Sequence, residues 1–392
     1  MRILIITNYP FPFGMAQTNR IIAMAKGLIH AGADVELVVS KATELGKPKN
    51  TAASGNYQGI KFTYATGTPI RPHGIARRAF LFYKGILGTM RFIIKENKKQ
   101  KIDVLFMGVY SNLITYMVFL LTRLLSIKYI QERSEYPFLS YSGSIAGRLK
   151  LRFYLRFICA RFDGFLVISS ALENYFRPFM KKDAKKHLMP ILVETERFSQ
   201  TDSHSRNVIS YCGSMQGTKD GVPLLIDAFS KIASQFPETD LQLIGPTNFE
   251  GFSHLQAQIN DLGLTNRIVF TGRVERDEMP GLLQESRILA LARPPSKQAE
   301  GGFPTKLGEY LATGRLSVVT SVGDIPDYLV HTKNALLAEP GNVEDFAKQL
   351  EYGLGNENVR TTIGREGRML AENVFNYKVQ GDKLFNWLKT FV

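Results

Sequence analysis

Four uninterrupted apolar residues, Ile3-Leu4-Ile5-Ile6, open a pattern that recurs through the chain. A run without polar alternation suits a strand buried on both faces, and such strands belong to parallel sheets covered by helices. A Pro/Gly-rich loop, Asn8 to Gly14, follows, then a helix is expected from about Thr18 to Ile29. Gly32 closes that unit and Val35–Val39 reads as the next strand, which makes β-loop-α-β, the opening of a doubly wound sheet. Further strands are expected at Lys61–Tyr64, Val104–Met107, Tyr129–Gln131 and Gly164–Ile168. Met189 to Asn207 mixes Pro, Glu, Ser, Thr and Asp and reads as a connection. A second series follows, with strands at Val208–Cys212, Leu241–Ile244, Ile268–Thr271, Ile288–Leu291 and Leu316–Thr320, and helices at about 222–236, 253–262 and 277–285. The 392 residues suit two α/β domains, expected at 1–190 and 208–375 around a linker at 191–207. Residues 376–392 are expected to form a helix that packs back on the first domain.

Charge divides unevenly. Residues 1–195 carry 29 Lys and Arg against 11 Asp and Glu, a net of +18; the remainder carries 20 against 24, a net of −4. A basic half beside a mildly acidic one implies an extended anionic partner, a membrane surface or a nucleic acid. Cys159 and Cys212 supply no disulfide framework and point to a reducing compartment, where both suit buried positions. Met1 to Ile6 is too short an apolar run for a signal peptide. The 19 uncharged residues between Asp103 and Arg123 approach membrane-spanning length, but the polar break near Gly108–Asn112 reads as strand, loop and helix.

The densest chemistry lies at residues 300–314, Glu-Gly-Gly-Phe-Pro-Thr-Lys-Leu-Gly-Glu-Tyr-Leu-Ala-Thr-Gly. A Gly-Gly turn leads to Pro304, and Thr305 is expected to cap a helix whose Leu307, Tyr310 and Leu311 form one apolar face. The first N–H groups of such a helix have no intrahelical partner and attract an anion. Two carboxylates, Glu300 and Glu309, bracket the turn. The same residues also fit a plain capped helix with a surface Lys306–Glu309 pair. The segment resembles the donor-sugar motif of glycosyltransferase family 4, in which two Glu residues frame a nucleotide-sugar. Glu309 matches the second of them, which in the family binds the ribose hydroxyls. The position of the first is Gly301, with the acid one place earlier at Glu300. The resemblance implies a donor site of Gly301, Gly302, Phe303, Pro304, Thr305, Lys306 and Glu309, with Glu300 as a catalytic residue.

The resemblance extends over nearly the whole chain and is strongest from 208 to 330. It implies the GT-B architecture: two Rossmann-like β/α/β domains facing across a cleft, the first for the acceptor and the second for the donor. After Val208–Cys212 the loop Gly213-Ser214-Met215-Gln216-Gly217-Thr218-Lys219-Asp220-Gly221 leads into a helix. A cation beside a helix start is disfavoured unless an anion lies between them; alternatively Lys219 pairs with Asp220 on the surface. By resemblance Lys219 is the catalytic cation on the donor diphosphate, Ser214 stands near the family's Arg, and Lys306 supplies further charge. Arg273 and Val274 resemble the base-contacting turn, and Gly14 the loop that brings backbone close to donor phosphate. The polar stretch Gln131 to Pro137 suggests acceptor contacts for Glu132 and Arg133, with Tyr110 after the preceding strand. The His that the family often carries there is absent from Gly108–Asn112.

Scattered histidines and the lack of Asp-x-Asp lead us to expect no metal and no cofactor. The resemblance implies a retaining transfer in which cations and helix N-termini stabilise the leaving diphosphate. The stretches Arg71–Lys101 and Arg148–Arg161 interleave cations with aromatic residues and suit anionic lipid. The expected protein is therefore cytoplasmic, peripheral on the inner membrane face, and active on a polyprenyl-diphosphate-linked or other saccharide acceptor of surface polysaccharide. Competing readings are a sugar-nucleotide epimerase of the same architecture and a non-catalytic nucleic-acid binder.

Overall fold

The computed structural model describes residues 1–108, 110–139, 141, 143–198, 206–217 and 219–392. Val109 beside Tyr110, residues 199–205 of the connecting segment and Thr218 of the Lys219 loop lie outside the described residues. The chain divides into two units, one of Met1–Leu192 with Tyr377–Val392 and one of Val193–Asn376.

The first unit runs β1 (Arg2–Thr7), α1 (Ala16–His30), β2 (Asp34–Val39), β3 (Ser54–Tyr57), β4 (Ile60–Tyr64), α2 (Ile75–Lys99), β5 (Val104–Met107), α3 (Asn112–Leu124), β6 (Lys128–Arg133), α4 (Ile145–Phe153), β7 (Gly164–Val167), α5 (Ser170–Phe176) and β8 (Lys185–Leu188). Its sheet has the order β3-β4-β2-β1-β5-β6-β7-β8, parallel throughout except for the antiparallel β3–β4 edge. All six residues of β1 are buried, as a central parallel strand requires. Residues 104–122 fall into β5 and α3 with a break between them. Among the described residues no helix is long and apolar enough to cross a membrane.

The second unit runs β9 (Val208–Cys212), α6 (Val222–Ile232), β10 (Asp240–Ile244), α7 (Phe252–Asp261), β11 (Ile268–Gly272), α8 (Met279–Gln284), β12 (Ile288–Leu291), α9 (Lys297–Gly301), α10 (Thr305–Ala312), β13 (Leu316–Thr320), α11 (Ile325–Tyr328), β14 (Leu336–Ala338), α12 (Val343–Gly355) and α13 (Glu357–Leu370). Its sheet is parallel, in the order β11-β10-β9-β12-β13-β14. The helix expected to reach 236 stops at Ile232, because Phe236 precedes Pro237 and the residue before proline avoids helical backbone.

A last helix, α14 (Tyr377–Lys389), completes the first unit. It lies on α1 where Gly27 meets Gly381, so close that a Cβ on Gly381 would stand 2.3 Å from the Gly27 carbonyl carbon. Leu384 and Leu388 of α14 are fully buried in the core that β1, β2 and α1 build.

The strands that the sequence pattern does not announce are β3, β8 and β14. The first two are the outer strands of their sheet, and β8 (Lys-Lys-His-Leu) carries the lysines that keep an exposed edge from pairing further. His187 of β8 stacks on Trp387 of α14 with ring centres 5.3 Å apart. Burial, then the nearby Lys383 charge, lower its pKa from 6.5 to about 4. The unfolded chain takes up this proton near 6.5 and the folded one near 4, so the contact stabilises above that window and is lost as pH falls through it. Trp387 is the single tryptophan of the chain. Its emission is expected to shift as pH falls through about 4, where the folded chain takes up the proton, and His187→Phe to flatten the profile; an unchanged parent spectrum through that pH refutes the coupling.

Candidate functional site

In an open parallel sheet, ligands sit beyond the carboxyl ends of the strands where the winding reverses. In the second unit that point lies between β9 and β12, because the chain winds outward through β10 and β11 and then returns. The loop after β9, Arg293 after β12, and the start of α10 all stand near it. The apolar face of α10 fixes the helix there: Leu307, Tyr310 and Leu311 are fully buried. The Cys212 N–H at the end of β9 donates to the Tyr310 hydroxyl at 2.6 Å. With that face anchored, Lys306 and Glu309 belong to the site.

Lys306 forms an ion pair with Asp220 and donates to the Tyr211 hydroxyl at 3.1 Å. Its ammonium lies 4.6 Å from the Tyr211 ring centre, the geometry of a cation–π contact. Gly213, at φ +151°, leaves the room it needs, since a Cβ there would come within 2.2 Å of the ammonium nitrogen. The Asp220 carboxylate is also 2.8 Å from the Tyr211 hydroxyl and 3.7 Å from Arg293 Nε. Burial by itself would raise the Asp220 pKa, but Lys306 and then Tyr211 and Arg293 outweigh it and hold the carboxyl below its ordinary range. Two cations thus share one anion beside a helix start, a cluster that can accept a further anion.

Glu309 stands one turn further along, with Arg197 Nη1 at 3.4 Å. Arg197 donates to the Arg276 carbonyl, and Arg276 pairs with Glu194. Burial raises the Glu309 pKa despite the opposing Arg197 and Arg276 charges. The carboxylate is therefore held ready but under-compensated. Asp220, Arg293 and Arg197 are not among the residues the motif points to; Asp220 adjoins Lys219 in sequence, and only the fold shows that its partner is Lys306.

Several expectations need correction. Thr305 does not cap α10: Pro304, at φ −72° and ψ 112°, occupies the cap position and Thr305 is the first helical residue. The Gly-Gly turn is replaced by the short helix α9, capped by the Ser296 hydroxyl accepting from the Ala299 N–H at 3.1 Å. Glu300 is half-buried on that helix and accepts from Lys297 Nζ at 2.7 Å. Gly301 ends α9, and the Gly302 carbonyl accepts from Arg293 Nη1 at 3.4 Å. Phe303 is buried against Tyr328 and Phe375, so its side chain anchors the segment. Ser214 and Lys219 are exposed in the loop before α6. Arg273 is exposed and Val274 half-buried just beyond β11, away from Lys306 by two strands of the sheet.

In the first unit the winding reverses between β1 and β5. A cavity of about 120 Å³ opens there, lined by Asn8, Ser40, Lys41, Phe82, Tyr110 and Ser111 among others. The Ser40 hydroxyl donates to the Tyr110 hydroxyl at 2.9 Å. Lys41, which sequence reasoning missed, has its pKa lowered by burial and then by the Arg71 charge. Glu132 accepts from Arg20 Nε at 3.1 Å, and Arg20 also donates to the Met189 and Pro190 carbonyls. Arg133 is not a loop residue; it ends β6 and is buried under Tyr154 and Phe176. Gly14 is required by its own chain, since a Cβ there would strike the Thr18 hydroxyl at 2.0 Å and approach the Pro10 carbonyl at 3.0 Å.

Residues 206–356 match the family described as Glycosyl transferases group 1. Mannosylfructose-phosphate synthase of Agrobacterium fabrum is 25% identical over 207 residues, 49% of this chain and 44% of that protein. The chain spans about half the length of the curated relatives it matches most strongly. Among solved structures, the Anabaena HepE protein in complex with UDP and glucose superposes with a TM-score of 0.71 at 15% identity, over 100% of both chains. WaaG, a glycosyltransferase involved in lipopolysaccharide biosynthesis, gives 0.65 at 13% identity, over 98% of this chain and 99% of that one. These likenesses show the fold, two parallel-sheet α/β units of the GT-B class.

Proposed function

We propose, from the premise that residues 206–356 are a Glycosyl transferases group 1 domain, that the chain transfers a sugar from a nucleotide-sugar to a saccharide acceptor with retention of anomeric configuration and without a metal. The observation that carries this reading is the Lys306–Asp220–Arg293 cluster at the start of α10 with Glu309 one turn on. A diphosphate placed there meets the free N–H groups of α10 and the Lys306 and Arg293 charges; Glu309 accepts from the ribose hydroxyls. Lys219, in the loop before α6, adds a cation to the same anion. As the glycosidic bond to the nucleotide breaks, charge grows on the leaving phosphate, and fixed cations stabilise that charge more than the ground state. The acceptor hydroxyl attacks from the same face and gives its proton to the departing phosphate oxygen.

The acceptor occupies the first unit, at the cavity of Lys41, Tyr110 and Ser111. We read it as lipid-linked and part of surface-polysaccharide assembly, with the protein peripheral on the inner face of the membrane. The net +18 of residues 1–195 supports this, as do Phe80, Tyr83, Leu120, Leu149 and Phe153, all exposed on α2, α3 and α4. Right-handed crossovers put those three helices on one face of the sheet.

Thermal denaturation with UDP, GDP and their sugar conjugates tests the donor assignment. Ligand at about 100 times its Kd adds about 2.7 kcal/mol, a rise of several degrees in Tm. No rise with any nucleoside diphosphate rejects the reading.

A further inference from the structure

A second cavity in the first unit belongs to neither site above. It has a volume of about 680 Å³ and lies between α4 with its continuation and the segment around Phe179. Arg148, Arg152 and Arg156 line it at four-residue spacing, and Leu151, Leu155 and Phe179 give it an apolar wall. No acidic residue lines it, and none of the three arginines takes part in an ion pair among the described residues. The helix passes through one π-helical turn here, Tyr154–Ile158, a device frequent at functional sites. That turn is pinned from below: the Arg133 Nε–H donates to the Tyr154 hydroxyl at 3.0 Å, and the Arg133 guanidinium lies 4.6 Å from the Tyr154 ring centre. A rigid base, three unpaired guanidinium groups and an apolar wall together fit a phosphate attached to a hydrocarbon chain.

We propose that this cavity is a discrete headgroup site for one anionic phospholipid of the bilayer, its phosphate on Arg148, Arg152 and Arg156 and its first chain segment along Leu151, Leu155 and Phe179. This deepens the membrane reading above and is independent of the donor assignment. It differs from diffuse attraction of a basic face in that position, and not charge number, sets the affinity.

The test is co-sedimentation with phosphatidylglycerol and with phosphatidylcholine vesicles. The parent is compared with R148Q/R152Q/R156Q and with a control that removes equal charge from α2, R91Q/K95Q/K98Q. The cavity variant is expected to lose at least tenfold more affinity for phosphatidylglycerol than the control. The lysine variant R148K/R152K/R156K is expected to recover part of the loss. Equal losses in both variants, or none in either, overturn the proposal. So does full competition by glycerol phosphate in solution, which would mean a site for the soluble phosphate. The nucleotide-induced rise in Tm is expected to be the same in all four proteins, so failure here and failure of the donor reading are read from different signals. As a second probe, Leu155→Asp places a carboxylate on the apolar wall and is expected to weaken vesicle binding while leaving Tm within about 2 °C.

Discussion

Glu309→Ala is expected to lower nucleotide-sugar affinity at least a hundredfold in calorimetric titration, with the fold intact. A carboxylate accepting two hydroxyl hydrogen bonds contributes about 1.5–3 kcal/mol for each, which amounts to two decades or more. An unchanged Kd removes Glu309 from the site. The companion expectation concerns Glu309→Gln without ligand. Burial raises the Glu309 pKa in the folded protein, so the folded state holds this proton to higher pH than the unfolded chain does. Stability therefore falls as pH rises through the interval from the ordinary carboxylate range to the raised value, and stays lower above it. The glutamine variant lacks that loss. Arg197 keeps the Arg276 carbonyl as a partner, so the substitution leaves no orphaned cation. At neutral pH the ligand-free variant is expected to melt higher than the parent, and the two to converge at acid pH. A parent that melts higher at neutral pH, or parallel curves, contradicts the assignment. Ligand affinity and stability of the free protein are opposed at this residue, as at many functional carboxylates.

Gly381→Ala is expected to destabilise the first unit by about 3 kcal/mol or more, because overpacking against backbone cannot be relieved by a rotamer change. The atoms it would strike are the Gly27 carbonyl carbon, oxygen and Cα, at 2.3, 2.4 and 2.5 Å. For a unit of this size that is a fall of roughly 6–12 °C in Tm. Trp387, on the same helix, reports the transition by fluorescence. A Tm within about 1 °C of the parent would show that the two helices separate freely.

Much of this molecule is legible in its sequence where the physics is local. Ile3–Ile6 and Val208–Cys212 read as buried parallel strands because their apolar runs admit no other partner than two covered faces. The face of Leu307, Tyr310 and Leu311 reads correctly because helical spacing alone brings the three together. What escapes is whatever depends on pairing at a distance. Arg197 meets Glu309 across 112 positions, and Asp220 meets Lys306 across 86. Arg133 looks like a loop cation among polar neighbours, yet β6 runs one residue past Glu132 and carries it into the core. Thr305 has a capping side chain, but proline ahead of it already sets the helix start. The edge strands β3 and β8 have no apolar run, because an edge needs polarity more than burial.

The return of α14 to the first unit has a consequence for synthesis. The unit that emerges first from the ribosome lacks Leu384 and Leu388 until translation of the intervening 193–376 is over. The second unit is one unbroken stretch and can close while the earlier one still waits with an uncovered wall. Premature termination inside the last helix would then spare the later unit and cripple the earlier one, an inversion of the usual order in which nascent domains become independent.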